Sequence, residues 1–394
     1  MRPALLTCLL ALPVPATAQT LSADVGTKGL AATIIQTEAL PSPTEADLFA
    51  LGGLRFLHTV EITLQTRWAA GLTDPTGMVP MLSLPLEPNP APPAFNPKVI
   101  AQLFSGVSIG MDAARAPLTT IPDTADFGVE INLADLWFDV NANSMRDAGE
   151  NLLDIAGPIL MGWEWANRDP ATPAPVIRFD AADAAWLSAY THLLGGIADV
   201  VLAYDPTASL TRMAQARADL VALSTGPTDY DQSFGSFVDP AYVMIDMLRQ
   251  KPTAAGATSA RDHFRAMVAD NRLFWARVAL EKDNAREWLP NDQQTSALGL
   301  QLPPGTGATW LGVLDEMDKI LTGDLLVPYW RVSGAGVNVS RMFTEPAPID
   351  LAGWIQGVSA VPYLEKGQLA SGASWTAFES MMQGQAMLLT LYLN

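Results

Sequence analysis

Cysteine is almost missing from this 394-residue chain. The one that occurs is Cys8, inside what reads as a leader. The rest of the protein can then hold no disulfide, and its stability must come from a hydrophobic core and any bound ion. Basic residues are scarce as well: 23 Lys and Arg stand against 41 Asp and Glu, a formal charge of −18. Phosphate recognition needs clustered Lys and Arg, and none cluster here, so nucleic-acid binding is excluded and anionic membrane surfaces are disfavoured. Only three histidines occur, His58, His192 and His263. They are widely separated and lack partners at metal-ligand spacing, so no zinc site is read. There is no Gly-x-Ser-x-Gly elbow, and the glycine-rich stretches 305–307 and 334–336 match neither a P-loop nor a dinucleotide fingerprint. Past the leader, no run approaches the roughly 18 apolar residues of a membrane span, and none is expected.

What is present is apolar sequence: 49% of residues are hydrophobic and only 16% charged, enough to bury a large core. At the N-terminus, Arg2 supplies a positive charge, Ala4–Leu12 an apolar run, and Pro13 and Pro15 break it. Ala16-Thr17-Ala18 then offers a small-x-small cleavage pattern. Residues 1–18 therefore read as a secretory signal, leaving Gln19 first and placing the mature chain in the periplasm or outside the cell. Loss of Arg2 with the leader takes the charge from −18 to −19.

Periodicity is helical wherever it is strong. Thr44, with Glu45 and Asp47 behind it, caps a helix reaching about Trp68, and Asn96-Pro97 opens another. Asp180 caps a helix whose Trp186, Tyr190, Leu193, Ile197, Val201 and Tyr204 recur at steps of three or four. Phe264–Val278, Leu311–Leu321 (closed by Gly323) and Trp375–Leu393 mark three more. Leu325–Arg331 and Val337–Phe343 are β-like runs expected to form a short hairpin, and the proline-rich stretches Pro80–Pro97 and Asp169–Pro175 read as connectors. The expectation is an all-α, compact, multi-helix domain over residues 19–394, with a metal-loop segment at 133–162. A tetratricopeptide-like array lacks its recurring Trp, Gly, Tyr and Pro spacing.

The most specific signal is Asp139–Glu150. Asp139, Asn141 and Asn143 alternate along one turn; Met145 offers a backbone carbonyl, Asp147 a direct or water-mediated oxygen, and Glu150 two closing oxygens. A hard cation needs six to eight oxygens at about 2.3–2.6 Å, which this spacing supplies locally. The twelve residues resemble an EF-hand loop, especially the solitary loops of dockerin-type modules in exported bacterial proteins. The resemblance implies Ca2+ as the ion, held by Asp139, Asn141, Asn143, Met145, Asp147 and Glu150. Ser144 departs from the family at the sixth position, where glycine eases a left-handed backbone; serine there costs about 1 kcal/mol. Arg146 replaces the aliphatic eighth residue through which paired loops meet, so the loop is read as solitary and structural. A second acidic group, Asp229–Ser233, would place Pro240 at its closing position and reads as a plain loop. The order of Asp47–Glu61, Asp135–Glu150, Arg286–Asn291, Pro328–Arg331 and Phe343–Gly367 also resembles a group of uncharacterised exported bacterial proteins, which implies fold and location and no activity.

In the last third, several connectors set an aromatic beside a charge. Trp288, Trp330, Arg331, Glu345, Tyr363 and Glu365 could line one polar-aromatic cleft for a sugar or carboxylate. The competing expectation is that the aromatics staple loop ends and the charges form ion pairs; Trp163-Glu164-Trp165 is read the same way. The leading reading is an exported, calcium-stabilised helical protein that binds a ligand or a protein or glycan partner. The alternatives are a hydrolase of an envelope polymer using Glu345, Glu365 or Glu164, and a helix-pair scaffold.

Overall fold

Local capping starts the long helices where the sequence places them. In the computed structural model, which describes residues 17–72, 84–169, 171–226, 228–382 and 386–393, Thr44 and Asp47 exchange hydrogen bonds in a capping box that opens the helix Glu45–Ala69. Asp180 and Asp183 do the same for Ala181–Tyr204. Both boxes satisfy amides that a helix N-terminus leaves unpaired. Gly323 adopts φ 86° just past the helix Thr306–Thr322 and ends it. Most of the leader (residues 1–16) and part of the Pro80–Pro97 connector lie outside the described residues.

In chain order the helices are α1 (Thr17–Lys28), α2 (Leu30–Glu38), α3 (Glu45–Ala69), α4 (Val99–Leu118), α5 (Leu152–Leu160), α6 (Trp163–Asn167), α7 (Ala181–Tyr204), α8 (Thr207–Leu223), α9 (Asp229–Leu248), α10 (Ala254–Val278), α11 (Thr306–Thr322), α12 (Val339–Thr344), α13 (Leu351–Gln356), α14 (Ala373–Met381) and α15 (Ala386–Leu393). The fold is mainly helical, with two small sheets among the described residues. Strands β1 (Val129–Asn132) and β2 (Val176–Phe179) form an antiparallel ribbon with Val129 opposite Phe179 and Asn132 opposite Val176. Strands β3 (Val327–Pro328), β4 (Ala335–Val337) and β5 (Leu364–Lys366) form the second sheet in that order, both pairings antiparallel.

The spine of the fold is α7, packed most extensively on α10 and next on α4, which in turn packs on α3. Its length and apolar composition would suffice to cross a membrane, yet here it is a core helix whose Ala189 and Ala198 are fully buried. Gly195 and Gly196 let α10 approach: a Cβ at Gly195 would lie 3.1 Å from the His263 ring and one at Gly196 2.7 Å from Phe264. One hydrophobic cluster gathers residues from Val25 to Leu393, including the fully buried Leu64, Phe274, Leu314 and Phe378. A smaller cluster of Tyr329, Val337, Ala360 and Tyr363 sits beside the second sheet.

Two local expectations are corrected. The second arm of the expected hairpin ends at Val337; Asn338 then accepts from the Arg341 amide and caps α12, so residues 339–344 are helical. Asp229–Ser233 is not a loop but the first turn of α9, where Thr228 caps the helix and the two aspartates complement its positive end. Of the expected C-terminal run, the described residues form α14 and α15, and residues 383–385 between them lie outside the described residues. The β1–β2 ribbon was not foreseen, because four-residue strands carry too little periodicity to be read against helical surroundings.

Candidate functional site

The ribbon matters because the chain between its strands carries the Asp139–Glu150 loop. At the loop's base the Phe138 amide donates to the Glu150 carbonyl (2.9 Å) and the Leu152 amide to the Leu136 carbonyl (2.9 Å). Above this base the chain turns back on its own side chains. Asp139 accepts from the Asn143 amide at Oδ1 and the Ser144 amide at Oδ2, both at 2.9 Å. Asn141 Oδ1 accepts from Asn143 N, and Asn143 Oδ1 from Met145 N (3.0 and 2.8 Å). The buried Glu150 accepts from Val140 N at Oε1 and Asp147 N at Oε2, both at 2.9 Å. Ala142 and Ser144 have φ of 58° and 62°, in the left-handed region that L-residues avoid. The loop thus adopts at Ser144 the backbone for which EF-hand loops use glycine.

The loop is anchored to the helical body through α3. Glu61, 5% exposed, accepts from the Asp139 amide (2.9 Å) and contacts His58 Nδ1 (3.0 Å). Gln65 donates to the Asp139 carbonyl at 2.7 Å. His58 therefore has the Glu61 partner that a one-turn spacing implies. Arg146 reaches away from the loop carboxylates to Asn151 Oδ1 and the Ala134 carbonyl. Among the described residues, no Lys, Arg or His side chain forms an ion pair with Asp139, Asp147 or Glu150. Asp147 Oδ2 instead accepts from the Asn141 and Asn143 side-chain amides (2.8 and 2.7 Å).

The residues expected in a cleft fall into two places. Trp288 is in the main core, 8% exposed, against Phe179, Trp186 and Tyr392. The other five lie around the smaller core. Trp330 is 71% exposed with the Arg331 guanidinium 5.3 Å from its ring centre, and Arg331 also donates to the Gln356 carbonyl. Glu345 and Glu365 converge on Arg341, which donates to them at 2.8 and 3.1 Å, while Tyr363 donates to the Glu345 carbonyl at 2.9 Å. The Arg341 hydrogen bond holds Glu345 below the usual carboxylate range, and Asn338 with Arg341 does the same for Glu365. Trp165 packs over Gly157; the side chains of Trp163 and Glu164 lie outside the described residues.

Two groupings were missed by sequence reasoning. His192 on α7 and His263 on α10 lie 71 residues apart in sequence, yet their Nδ1 atoms are 2.8 Å apart. Behind them, Asp270 is 4.0 Å from His192 Nε2 and Asp199 3.8 Å from His263 Nε2. Ser188 and Ser108 donate to those two aspartates. Burial, with the Arg115 charge and His263 adding to it, lowers the His192 pKa to about 3, so the pair shares a hydrogen bond between rings of which at least one is neutral. The signal available in the sequence was Gly195, one α-helical turn from His192 on the facing side.

The second grouping is acidic. Carboxylate oxygens of Asp180, Glu281 and Glu287 lie within 4.8 Å of one another, the only such trio of His, Cys, Asp or Glu among the described residues. The loop's three carboxylates are therefore less tightly gathered than this trio. Burial raises all three, and raises the neighbouring Asp183 well above its usual value. Glu281 is pushed from 4.5 to about 7, first by burial and then by its acidic neighbours, against a lowering hydrogen bond from Gln294. Between those two values the folded chain holds a proton that the unfolded chain has lost. The stabilisation is complete below the unfolded value and is lost as pH rises through about 7. In a Glu281→Gln variant, the fall in thermal midpoint between about pH 5 and 8 should flatten, leaving the variant about 2 °C above the wild type at the alkaline end. Parallel melting curves across that range would show that the carboxyl is not the titrating group.

No family model, curated protein or solved structure matches this chain.

Proposed function

We propose that this chain binds one calcium ion in the Asp139–Glu150 loop, and that the ion braces an exported helical protein whose role is to hold a ligand rather than to catalyse a reaction. The ligands are Asp139, Asn141, Asn143, the Met145 carbonyl, Asp147 and Glu150. One observation carries the reading: three carboxylates share a twelve-residue loop with no basic partner among the described residues, on a backbone strained into the left-handed region at Ser144. Three like charges within one twelve-residue loop repel unless a cation offsets them. The donors are all hard oxygens, which suits calcium; magnesium demands a tighter octahedron and keeps its waters. Each asparagine Oδ1 that accepts one amide keeps a second lone pair for an ion.

The bound ion would tie the loop's two ends together over the Phe138–Glu150 and Leu136–Leu152 rungs, which α3 already grips through Glu61 and Gln65. The structural role follows from that geometry. A hydrolase reading draws no support from Glu345 and Glu365, since both rest on Arg341 and stay ionised instead of supplying an acid and a base across an open cleft. A helix-pair scaffold would pack each pair only on its neighbours, whereas here a single cluster reaches from Val25 to Leu393.

Differential scanning calorimetry tests the assignment. At calcium concentrations about 100 times the dissociation constant, the added stability is about 2.7 kcal/mol, and magnesium should add less. Asp139→Ala and Glu150→Ala should each abolish the calcium response. If both variants respond as the wild type does, the ion is bound elsewhere.

A further inference from the structure

We propose that His192 and His263 hold one divalent transition-metal ion of the zinc type between their Nδ1 atoms, at a surface cleft where α7 meets α10. The cleft has a volume of about 660 Å³ and is lined by both histidines and by early α10 residues such as Thr258 and Ser259. Water or a small ligand can therefore complete the ion's shell. Two imidazole nitrogens suit zinc, copper or nickel, whereas calcium and magnesium take oxygen. The site is separate in chemistry from the Asp139–Glu150 loop and does not depend on it.

The two helices supply matching halves. Asp199 follows His192 on α7, and Asp270 follows His263 on α10, by the same seven residues, two helical turns that keep both groups on one face. The helices run antiparallel at this point, so each aspartate reaches the histidine of the other helix. Asp270 lies 4.0 Å from His192 Nε2 and Asp199 3.8 Å from His263 Nε2, distances that a bridging water or a small ring rotation closes. The two Nδ1 atoms turn towards each other at 2.8 Å. A metal-bound histidine commonly offers one nitrogen to the ion and the other, as N–H, to a carboxylate. Both rings are set that way around a single point, and Ser188 and Ser108 hold the two aspartates in place.

Hydrogen placement shows why a cation fits. When both rings are neutral, the one that donates its Nδ1–H keeps a bare Nε2 lone pair towards a carboxylate. One cation between the Nδ1 atoms removes that conflict, because both Nε2 atoms then carry hydrogen and both aspartates can accept. A shared proton does this with one charge; a divalent ion does it with two, matching the two carboxylates. Arg115, whose charge bears on His192, is itself paired with Asp112. Zinc–nitrogen bonds of about 2.0–2.1 Å at a tetrahedral angle set the nitrogens about 3.3 Å apart, so the rings must part by about half an ångström. Gly195 leaves room for that: it carries no side chain where a Cβ would lie 3.2 Å from His263 Nδ1.

Isothermal titration calorimetry with zinc chloride, near neutral pH and with calcium in excess, tests it. The wild type should bind zinc saturably, and His192→Gln and His263→Gln should each lose that binding. Asp199→Asn and Asp270→Asn, which keep the side-chain shape, should weaken zinc by about 10–100-fold while remaining folded. Electron paramagnetic resonance of the copper-loaded wild type should show coupling to two imidazole nitrogens. Absence of saturable zinc binding to the wild type overturns the proposal, as does wild-type affinity in either histidine variant. If the histidine variants do not fold, unchanged affinity in both aspartate variants overturns it instead. Excess calcium keeps zinc from the loop oxygens, and if the loop assignment fails, the comparison between histidine variants and wild type still decides this one.

Discussion

Trp288→Ala should unfold about 3–5 kcal/mol more easily than the wild type, whereas Trp330→Ala should differ by no more than about 1 kcal/mol. The two tryptophans look alike in sequence, each in a short connector beside a charge, but their surroundings separate them. Trp288 is 8% exposed, with its ring 5.2 Å from Trp186 and about 6 Å from Phe179 and Tyr392. Truncation there removes a large apolar surface from packed partners and widens an existing apolar cavity of about 310 Å³ that the surrounding helices cannot easily collapse. Trp330 is 71% exposed, and its main neighbour is the Arg331 guanidinium. A cation–π contact in water is worth at most about 1 kcal/mol, and removing it frees a side chain that solvent already reaches. Urea denaturation of both variants provides the comparison. Equal losses for the two would contradict the separation of Trp288 into the main core.

Glu61→Ala should lower stability by about 2 kcal/mol and weaken calcium binding by about 10–100-fold. Glu61 is not itself among the proposed ligands; its side chain accepts from the main-chain amide of Asp139, which is one of them, and faces His58. Its loss leaves that amide without an acceptor beside a buried helix face and lets the first ligand of the loop drift. Glu61→Gln keeps an acceptor oxygen and should recover most of the stability. Calorimetric calcium titration of both variants reads the second effect directly. If Glu61→Ala binds calcium as tightly as the wild type while losing stability, the residue only packs the helix and does not position the loop.

The sequence was most legible where chemistry is local. Thr44 with Asp47 and Asp180 with Asp183 announce two helix starts, because reciprocal capping depends only on residues three apart. The Asp139–Glu150 loop was likewise visible as a spacing. Its anchor was not: Glu61 is 78 residues from Asp139, and only the packing of α3 on the loop brings them together. The His192–His263 pair and the Asp180–Glu281–Glu287 trio were hidden for the same reason, since each is made by tertiary contacts between distant elements. Aromatic-plus-charge texture misled for Trp288, because a connector can run beneath the surface when its indole fills core space. Short strands escaped notice where the β1–β2 ribbon has only four residues on each side.

Three residues belong to both halves of the picture. The main-chain amide of Phe138 forms a rung with Glu150 at the foot of the loop, while its side chain is part of the cavity wall; Leu136 and Leu152 are placed in the same double role. Anything that stiffens this foot also fixes the shape of the wall behind it. Conversely, a change in the shape of the wall strains the foot. The proposed ion at the foot and any repacking of the wall are therefore linked, and the free energy by which each alters the other is one quantity, equal in the two directions.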